Sequence, residues 1–478
     1  MPGIVGVVTP EDTFVPANCA AFRSRGWHID ESTGTVLCRY ALEMVSGPPI
    51  ELTEMFRFPN IGGFAVLSPT DERRTVVARL LDHLCVVAGL SYYKLAAPAQ
   101  VIVEHGCWSA EDLGYHRSLL TNGLGEFCWH NGVPLLDPQW TMPGLDSGLD
   151  SGLDSGLASG RSAVPVVVDL PNGPMVPVGG GKDSCVSIEA IRAAGFRPTL
   201  VTVRRFPVIQ DVINASGLAD VAVSRVLDPS ISALVARGAM NGHVPVTAIV
   251  TWASLVAAAF GGHDAVVLSN ERSASEGNVI YRGVEINHQW SKSAEAELLL
   301  SAALSRITPS LRAFSLLRGM SELSIAQQFA ATGNRYFSTF SSCNGAFRSD
   351  PSRRVDRWDA TCAKCQFVFL ALATVLDRDV LESIWGTDVF CVSSFAGFEA
   401  LLGLTEWKPF ECVGESSECR VALALISERS EWAAHEIVTE LRGRLVSSEL
   451  WPTESDRRQA LTPLAVGVPP PYERVVLG

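Results

Sequence analysis

Apolar and polar positions change rhythm along the chain. The first 140 or so residues open with strand-like runs and then turn helical. Thr70 and Asp71 can cap a helix, and the run Thr75 to Val87 that follows has helical apolar spacing. A different rhythm begins near residue 166. Met175 to Val178 reads as a strand entering a glycine turn, and Ser184 to Ala194 as a helix with Cys185, Ile188 and Ile191 on one stripe, stopped by Gly195. Thr199 to Val203 is the next strand. Thr247 to Phe260 is a helix closed by Gly261 and Gly262, and Ala265 to Ser269 is a further buried strand. Strand, helix and strand at this spacing predict an α/β fold, a parallel sheet with helices on its faces. From about Ser293 the pattern is mostly helical. Between the two rhythms lies Gly144 to Arg161, GLDSGLDSGLDSGLASGR, a four-residue repeat with too few copies for a solenoid and the composition of a flexible loop. The expected organisation is an N-terminal α+β domain over 1–140, a linker over 141–165, an α/β domain over 166–375 and a mainly helical region over 376–478.

Composition narrows the class. The 478 residues are 47% hydrophobic and 19% charged, which permits a large core and excludes wholesale disorder. The formal net charge of -13 argues against a protein that grips nucleic-acid backbones, though not against a local pocket for one nucleotide. The segment Met1 to Val8 is apolar but lacks a basic flank, and Glu11 and Asp12 follow it, so no signal peptide is expected. No stretch reads as a membrane span, and a cytoplasmic protein is expected. Twelve cysteines are too few for a disulfide scaffold. Cys38, Cys85, Cys128 and Cys391 stand in apolar surroundings and read as buried thiols.

Three stretches carry chemistry. Gly179, Gly180, Gly181, Lys182, Asp183 and Ser184 join the predicted strand to the predicted helix. Glycines let backbone N–H groups approach a ligand, the helix start adds a positive dipole end, and Lys182 and Ser184 add a charge and a hydroxyl; such a loop suits a pyrophosphate. It has neither Walker A nor dinucleotide-fingerprint spacing. The second stretch is the polar run Asn270, Glu271 and Arg272 through Asn278, at the carboxyl end of a predicted strand, where open parallel sheets bind ligands. His288 and Lys292 follow in a dense set of polar side chains, Asn287 to Ser293. The third holds Cys343 and the pair Cys362 and Cys365, whose spacing is zinc-like; Asp350, Asp356 or Asp359 can supply a fourth ligand. Free thiols, catalytic or buried, are the alternative.

The glycine loop resembles the PP-loop, S-G-G-x-D-S, of enzymes that cleave ATP between its α and β phosphates, with Gly179 where most members carry Ser. The opening Gly3-Ile4-Val5-Gly6 is similar to the glutaminase start of asparagine synthetases, but Pro2 occupies the place of the nucleophilic cysteine. A fuller likeness spans nearly the whole chain. The loop, Asn270 to Asn278, His288 to Ser293, Cys343 to Phe347 and Cys362/Cys365 resemble the UDP-N-acetyl-α-D-muramoyl-L-alanyl-L-glutamate epimerase family. So do Ala88 to Lys94, Gly123 to Phe127, Phe395 to Gly403 and Lys408 to Glu415. A narrower likeness, in the loop and the cysteines, is to 7-cyano-7-deazaguanine synthase.

The epimerase resemblance implies a PP-loop core and inversion of the terminal L-glutamate of UDP-MurNAc-L-Ala-L-Glu to D-glutamate, with ATP and Mg²⁺ or Mn²⁺, through a carboxyl-adenylate that releases AMP and pyrophosphate. It also implies a place beside a muramyl peptide ligase in peptidoglycan precursor synthesis, with no nucleic-acid or membrane partner. In that scheme Gly179 to Ser184 hold the phosphates, Lys182 meets developing charge and Asp183 holds Mg²⁺. Asn270, Glu271 and Arg272 face the nucleotide, and His288, Lys292 and Cys343 compete as bases. Zinc at Cys343, Cys362 and Cys365 is the accompanying expectation. Another PP-loop adenylating ligase and a non-enzymatic nucleotide sensor are the competing classes.

Overall fold

Residues 13–59, 67–68, 70–145, 164–348, 350–406, 408–464 and 466–475 are described by the computed structural model of the chain. They fall into two units, each woven from separated stretches. The first comprises Met1–Leu170, Val223–Gly261 and Ala302–Leu311; the second comprises Pro171–Ala222, Gly262–Ser301 and Arg312–Gly478. The GLDS repeat from residue 146 onward and the opening Gly3-Ile4-Val5-Gly6 lie outside the described residues.

The first unit is built on a mixed sheet. Cys19–Asp30, Thr35–Met44 and Ile50–Arg57 form an antiparallel meander, which residues 224–227 extend antiparallel on one side. On the other side Gln100–Val103 and Gln139–Thr141 add in parallel. The helix Arg73–Tyr93 packs on this sheet and against Val246–Gly261. It begins two residues after Asp71, whose Oδ1 accepts the Arg73 backbone N–H at 2.9 Å. It also runs past the expected end at Val87 to Tyr93. Gly89 explains the extension, because a Cβ there would stand 3.0 Å from the rings of Phe22 and Tyr40. It is a close-approach glycine, not a stop. By length and composition this helix could cross a membrane, against the expectation that no stretch would, but 83% of its apolar window is buried in the unit. It is a core helix.

The second unit contains a four-stranded parallel sheet in the order Thr199–Val203, Met175–Pro177, Ala265–Leu268, Arg312–Ser315. The predicted strands and helices lie within a residue or two of their expected limits. Lys182–Ala193 starts earlier than read from the apolar stripe, because its first turn is polar, and Arg312–Ser315 escaped notice among helical neighbours. The second strand in space is the first in the chain, and its two neighbours follow it. In open α/β sheets ligands bind at such a reversal, here beyond the carboxyl ends of Met175–Pro177 and Ala265–Leu268. Helices Glu322–Thr332, Ala363–Leu372 and Ser416–Ser427 complete one continuous apolar core with Lys182–Ala193 and Pro207–Ser216. The chain is therefore α/β, and mostly helical beyond the last strand. Among the thiols expected to be buried, Cys38, Cys85 and Cys128 are, but Cys391 is exposed, near His435 on a short helix edge.

Candidate active site

The glycine turn leaves the strand Met175–Pro177 and enters the helix at Lys182. Gly180 has φ +84°, which a side chain would strain. Its carbonyl accepts the Ser341 N–H at 2.9 Å, and a Cβ on Gly181 would stand 2.7 Å from Ser342 Oγ. The Ser184 hydroxyl donates to the Gly181 carbonyl at 3.0 Å and so braces the first helical turn.

Lys182 is 1% exposed, and its ammonium ion-pairs with Asp183 at 2.5 Å and also with Glu322. Burial opposes the charge, yet the two carboxylates outweigh it and hold Lys182 above the ordinary lysine range. Burial also opposes ionisation of Asp183, but Lys182, and then Lys364 and Lys292, hold its carboxyl below the usual range. Glu322 moves the other way: burial raises it, and Asp183 and Glu271 add to the rise against Lys182. Behind it, the Glu322 N–H donates to Glu418 Oε2 at 3.2 Å, and Arg272 reaches Glu418 Oε1 at 3.3 Å. Burial, then Glu322 and Glu415, push Glu418 up to about 8.

The run after Ala265–Leu268 is largely turned inward. Asn270 Nδ2 donates to Ser315 Oγ at 3.0 Å, the Glu271 carbonyl accepts from Arg318 at 2.8 Å, and Asn270 and Glu271 are both buried. Lys292 stands on a short 3₁₀ turn, with Nζ 3.3 Å from Cys412 Sγ and 3.2 Å from Gln289 Oε1. Burial opposes its charge, while Cys412 and Glu271 raise it. The His288 N–H donates to Asn278 Oδ1 at 2.8 Å, and its imidazole hydrogen-bonds the Cys412 sulfur.

The cysteines meet in a separate cluster. Cys343 Sγ lies 3.9 Å from Cys362 Sγ, Cys362 Sγ 3.5 Å from Cys365 Sγ, and Cys365 Sγ 3.3 Å from Asp359 Oδ1. All four ligand atoms fall within 4.8 Å of one another. Backbone N–H groups of Asp359 and Cys365 point at the sulfurs of Cys343 and Cys362, each at 3.4 Å. Asp359 is the carboxylate at the cluster; Asp350 and Asp356 are exposed. Three soft sulfurs and one oxygen at this spacing suit a tetrahedral zinc ion. Lys364, between Cys362 and Cys365, donates its backbone N–H to Glu411 Oε2 at 2.8 Å.

Two family models match the chain: the MurL N-terminal domain over residues 13–316 and the MurL C-terminal domain over residues 339–457. Three relatives, each named UDP-N-acetyl-α-D-muramoyl-L-alanyl-L-glutamate epimerase, are similar over most of their length. The protein of Micromonospora sp. is 38% identical over 95% of this chain and 97% of its own. Those of Salinispora tropica and Xanthomonas oryzae pv. oryzae are 40% and 37% identical, each over 88% of both chains. The chain belongs to the UDP-N-acetyl-α-D-muramoyl-L-alanyl-L-glutamate epimerase family. In this family member the second unit draws on both matched regions: the glycine turn, Glu271 and Lys292 come from the N-terminal one, the cysteines and Cys412 from the C-terminal one. Sequence reading singled out Gly179 to Ser184, Asn270 to Arg272, His288, Lys292 and the three cysteines, and all stand in the second unit. It missed Glu322, Lys364, Glu418 and Cys412. Lys364 lies inside the C-x-x-C pair and Cys412 inside the stretch Lys408 to Glu415, but neither pattern assigns them a role; Glu322 and Glu418 sit in no motif, and only the folded chain brings the four to the others.

Proposed function

We propose that the chain inverts the α-centre of the terminal L-glutamate of UDP-MurNAc-L-Ala-L-Glu through an acyl-adenylate, at the expense of ATP. The names of the relatives support the substrate. The observation that carries the chemistry is the glycine turn at the strand-order reversal, followed at once by Lys182 and Asp183, with Lys292 and Lys364 acting on that carboxylate. The ATP requirement has a physical origin. A free carboxylate is already negative, so removing the neighbouring α-proton would put a second charge beside it. Adenylation removes the first charge and lets the acyl oxygen receive the second. Water then releases the D-product and AMP.

In this reading the N–H groups of Gly179 to Gly181 and the start of the Lys182 helix face the phosphates. Lys182 is released from Asp183 or Glu322 to meet charge as pyrophosphate leaves. Asp183 would hold Mg²⁺ or Mn²⁺, with Glu322, on which both Asp183 and Glu271 act, beside it. The divalent ion supplies neutralisation of the phosphates. Arg272, fixed on Glu418, and Asn270, fixed on Ser315, support the wall of the crevice. Cys343, Cys362, Cys365 and Asp359 would hold zinc as a structural ion at the start of the helix that carries Lys364. A ligase that attaches L-glutamate to the UDP-muramoyl precursor supplies the substrate, which places the reaction in the cytoplasm.

Analysis of the nucleotide products tests this reading. Incubation with UDP-MurNAc-L-Ala-L-Glu and ATP is expected to give AMP and pyrophosphate, and Asp183→Ala to slow this by about 10²–10³-fold. ADP and phosphate as products would overturn it.

A further inference from the structure

We propose that the thiolate of Cys412 is the base that takes the α-proton on one face of the adenylated glutamate; the inference rests on the reading above. Cys412 is half-buried, whereas Cys185 and Cys419, the other thiols nearest in chain to the loops of the crevice, are sealed in the core. Cys343, Cys362 and Cys365 are engaged with one another and with Asp359. Cys412 alone among these has a lysine ammonium at its sulfur, Lys292 Nζ at 3.3 Å, with the imidazole of His288 as a further hydrogen-bond partner.

The loop that carries it is fastened on several sides. Asn278 Nδ2 donates to the Pro409 carbonyl at 2.8 Å, the Lys408 N–H donates to the Asn278 carbonyl at 3.2 Å, and Lys408 ion-pairs with Glu276. The same Asn278 receives the His288 N–H through its Oδ1 at 2.8 Å. His288 and Phe410 meet edge to face at 6.5 Å between ring centroids. A sulfur is thereby held against an ammonium and an imidazole by residues from two chain segments, as a positioned base requires. Lys292 joins this group to the phosphate end, because Asp183 and Glu271 also act on it.

The charge state agrees with the task. Burial pushes the thiol up, but Lys292, the His288 hydrogen bond and Lys364 outweigh it and bring Cys412 down to about 6. The groups that act on the sulfur are thus Lys292, His288 and Lys364. The neighbouring Glu411 is turned to the Lys364 backbone. In the step itself the Cα–H bond breaks and an S–H bond forms. The released pair moves into the bond between Cα and the acyl carbon, and the acyl oxygen takes the charge. A proton delivered from the opposite face completes inversion, and the thiol returns its proton to solvent.

The test uses the whole chain and compares Cys412→Ser with wild type in three assays: inversion, substrate-dependent ATP–pyrophosphate exchange, and α-deuterium exchange in heavy water starting from each epimer. The serine hydroxyl does not ionise near neutrality, so inversion is expected to fall by about 10²–10⁴-fold. Pyrophosphate exchange should persist, and deuterium exchange should be lost from one epimer and kept for the other. A merely structural residue would not produce that asymmetry. Inversion at the wild-type rate, or exchange affected equally for both epimers, would overturn the proposal. Wild-type protein without pyrophosphate exchange would overturn the adenylate reading and this proposal with it, a distinguishable result. Should the serine variant lack pyrophosphate exchange, wild-type protein alkylated with iodoacetamide decides. Inversion is expected to fall in step with label mapped to Cys412, and a fully labelled Cys412 in a protein that still inverts would overturn the assignment.

Discussion

Lys182 is a cation almost sealed from solvent, and it stays charged only because Asp183 and Glu322 stand against it. Removing it leaves Asp183 and the buried carboxylate of Glu322 facing each other without a countercharge between them. Lys182→Met is therefore expected to destabilise the protein by about 3–5 kcal/mol, read from urea unfolding, and to abolish AMP formation. Unchanged stability would mean that the ion pair is open to solvent. The same residue shows what a sequence discloses at this scale. Lys182 and Asp183 were legible because, with Ser184, they follow three glycines at the join of a predicted strand and a predicted helix. Glu322 was not, since a glutamate opening a helix after Ser321 reads as an ordinary first-turn acid. Cys412 and Lys364 are likewise single residues whose meaning comes from what a distant segment places beside them.

At the scale of elements, periodicity located Met175–Pro177, Lys182–Ala193, Thr199–Val203 and Ala265–Leu268 of the second unit because each has a buried face, and it passed over Pro207–Ser216 and Arg312–Ser315. It misjudged the helix at Arg73–Tyr93, where Gly89 is required by the rings of Phe22 and Tyr40 across the sheet, a contact with no local trace. The cysteine turn combines both lessons. Its C-x-x-C spacing was visible, while the choice of Asp359 over Asp350 and Asp356 needed the fold. Cys362 also caps the helix Ala363–Leu372, its sulfur accepting the Cys365 N–H at 3.4 Å. A serine can keep that cap but binds zinc poorly. Elemental analysis is expected to find about one zinc per chain in wild type and almost none in Cys362→Ser. A fully active wild-type protein without zinc would contradict the metal reading.

Across the whole molecule, chemistry and packing are divided between the units. The first keeps a buried histidine group: His83 stacks on Trp252 at 4.4 Å, and its Nδ1 meets His116 Nε2 at 3.1 Å. Burial, against the pull of Asp82, lowers His83 to about 3. The unfolded chain takes up this proton near the ordinary value of about 6.5, and the folded chain does not. Stability from this residue is therefore lost as pH falls from about 6.5 toward 3, by about 1.4 kcal/mol per pH unit. Urea titrations at pH 6 and pH 5 should show a slope that much steeper in wild type than in His83→Gln; parallel slopes would contradict a neutral buried imidazole.

In the proposed function the site is gathered from residues near 180, 271, 290, 322, 364 and 412 of the second unit, so that function depends on the topology that reverses strand order at Met175–Pro177. Mass spectrometry and chiral analysis of the glutamyl residue, recovered from UDP-MurNAc-L-Ala-L-Glu incubated with the protein in heavy water with and without ATP, test that account most directly. It predicts D-glutamate carrying one α-deuterium when ATP is present and neither inversion nor deuterium when ATP is omitted. Deuterium uptake and inversion at full rate without nucleotide would contradict it.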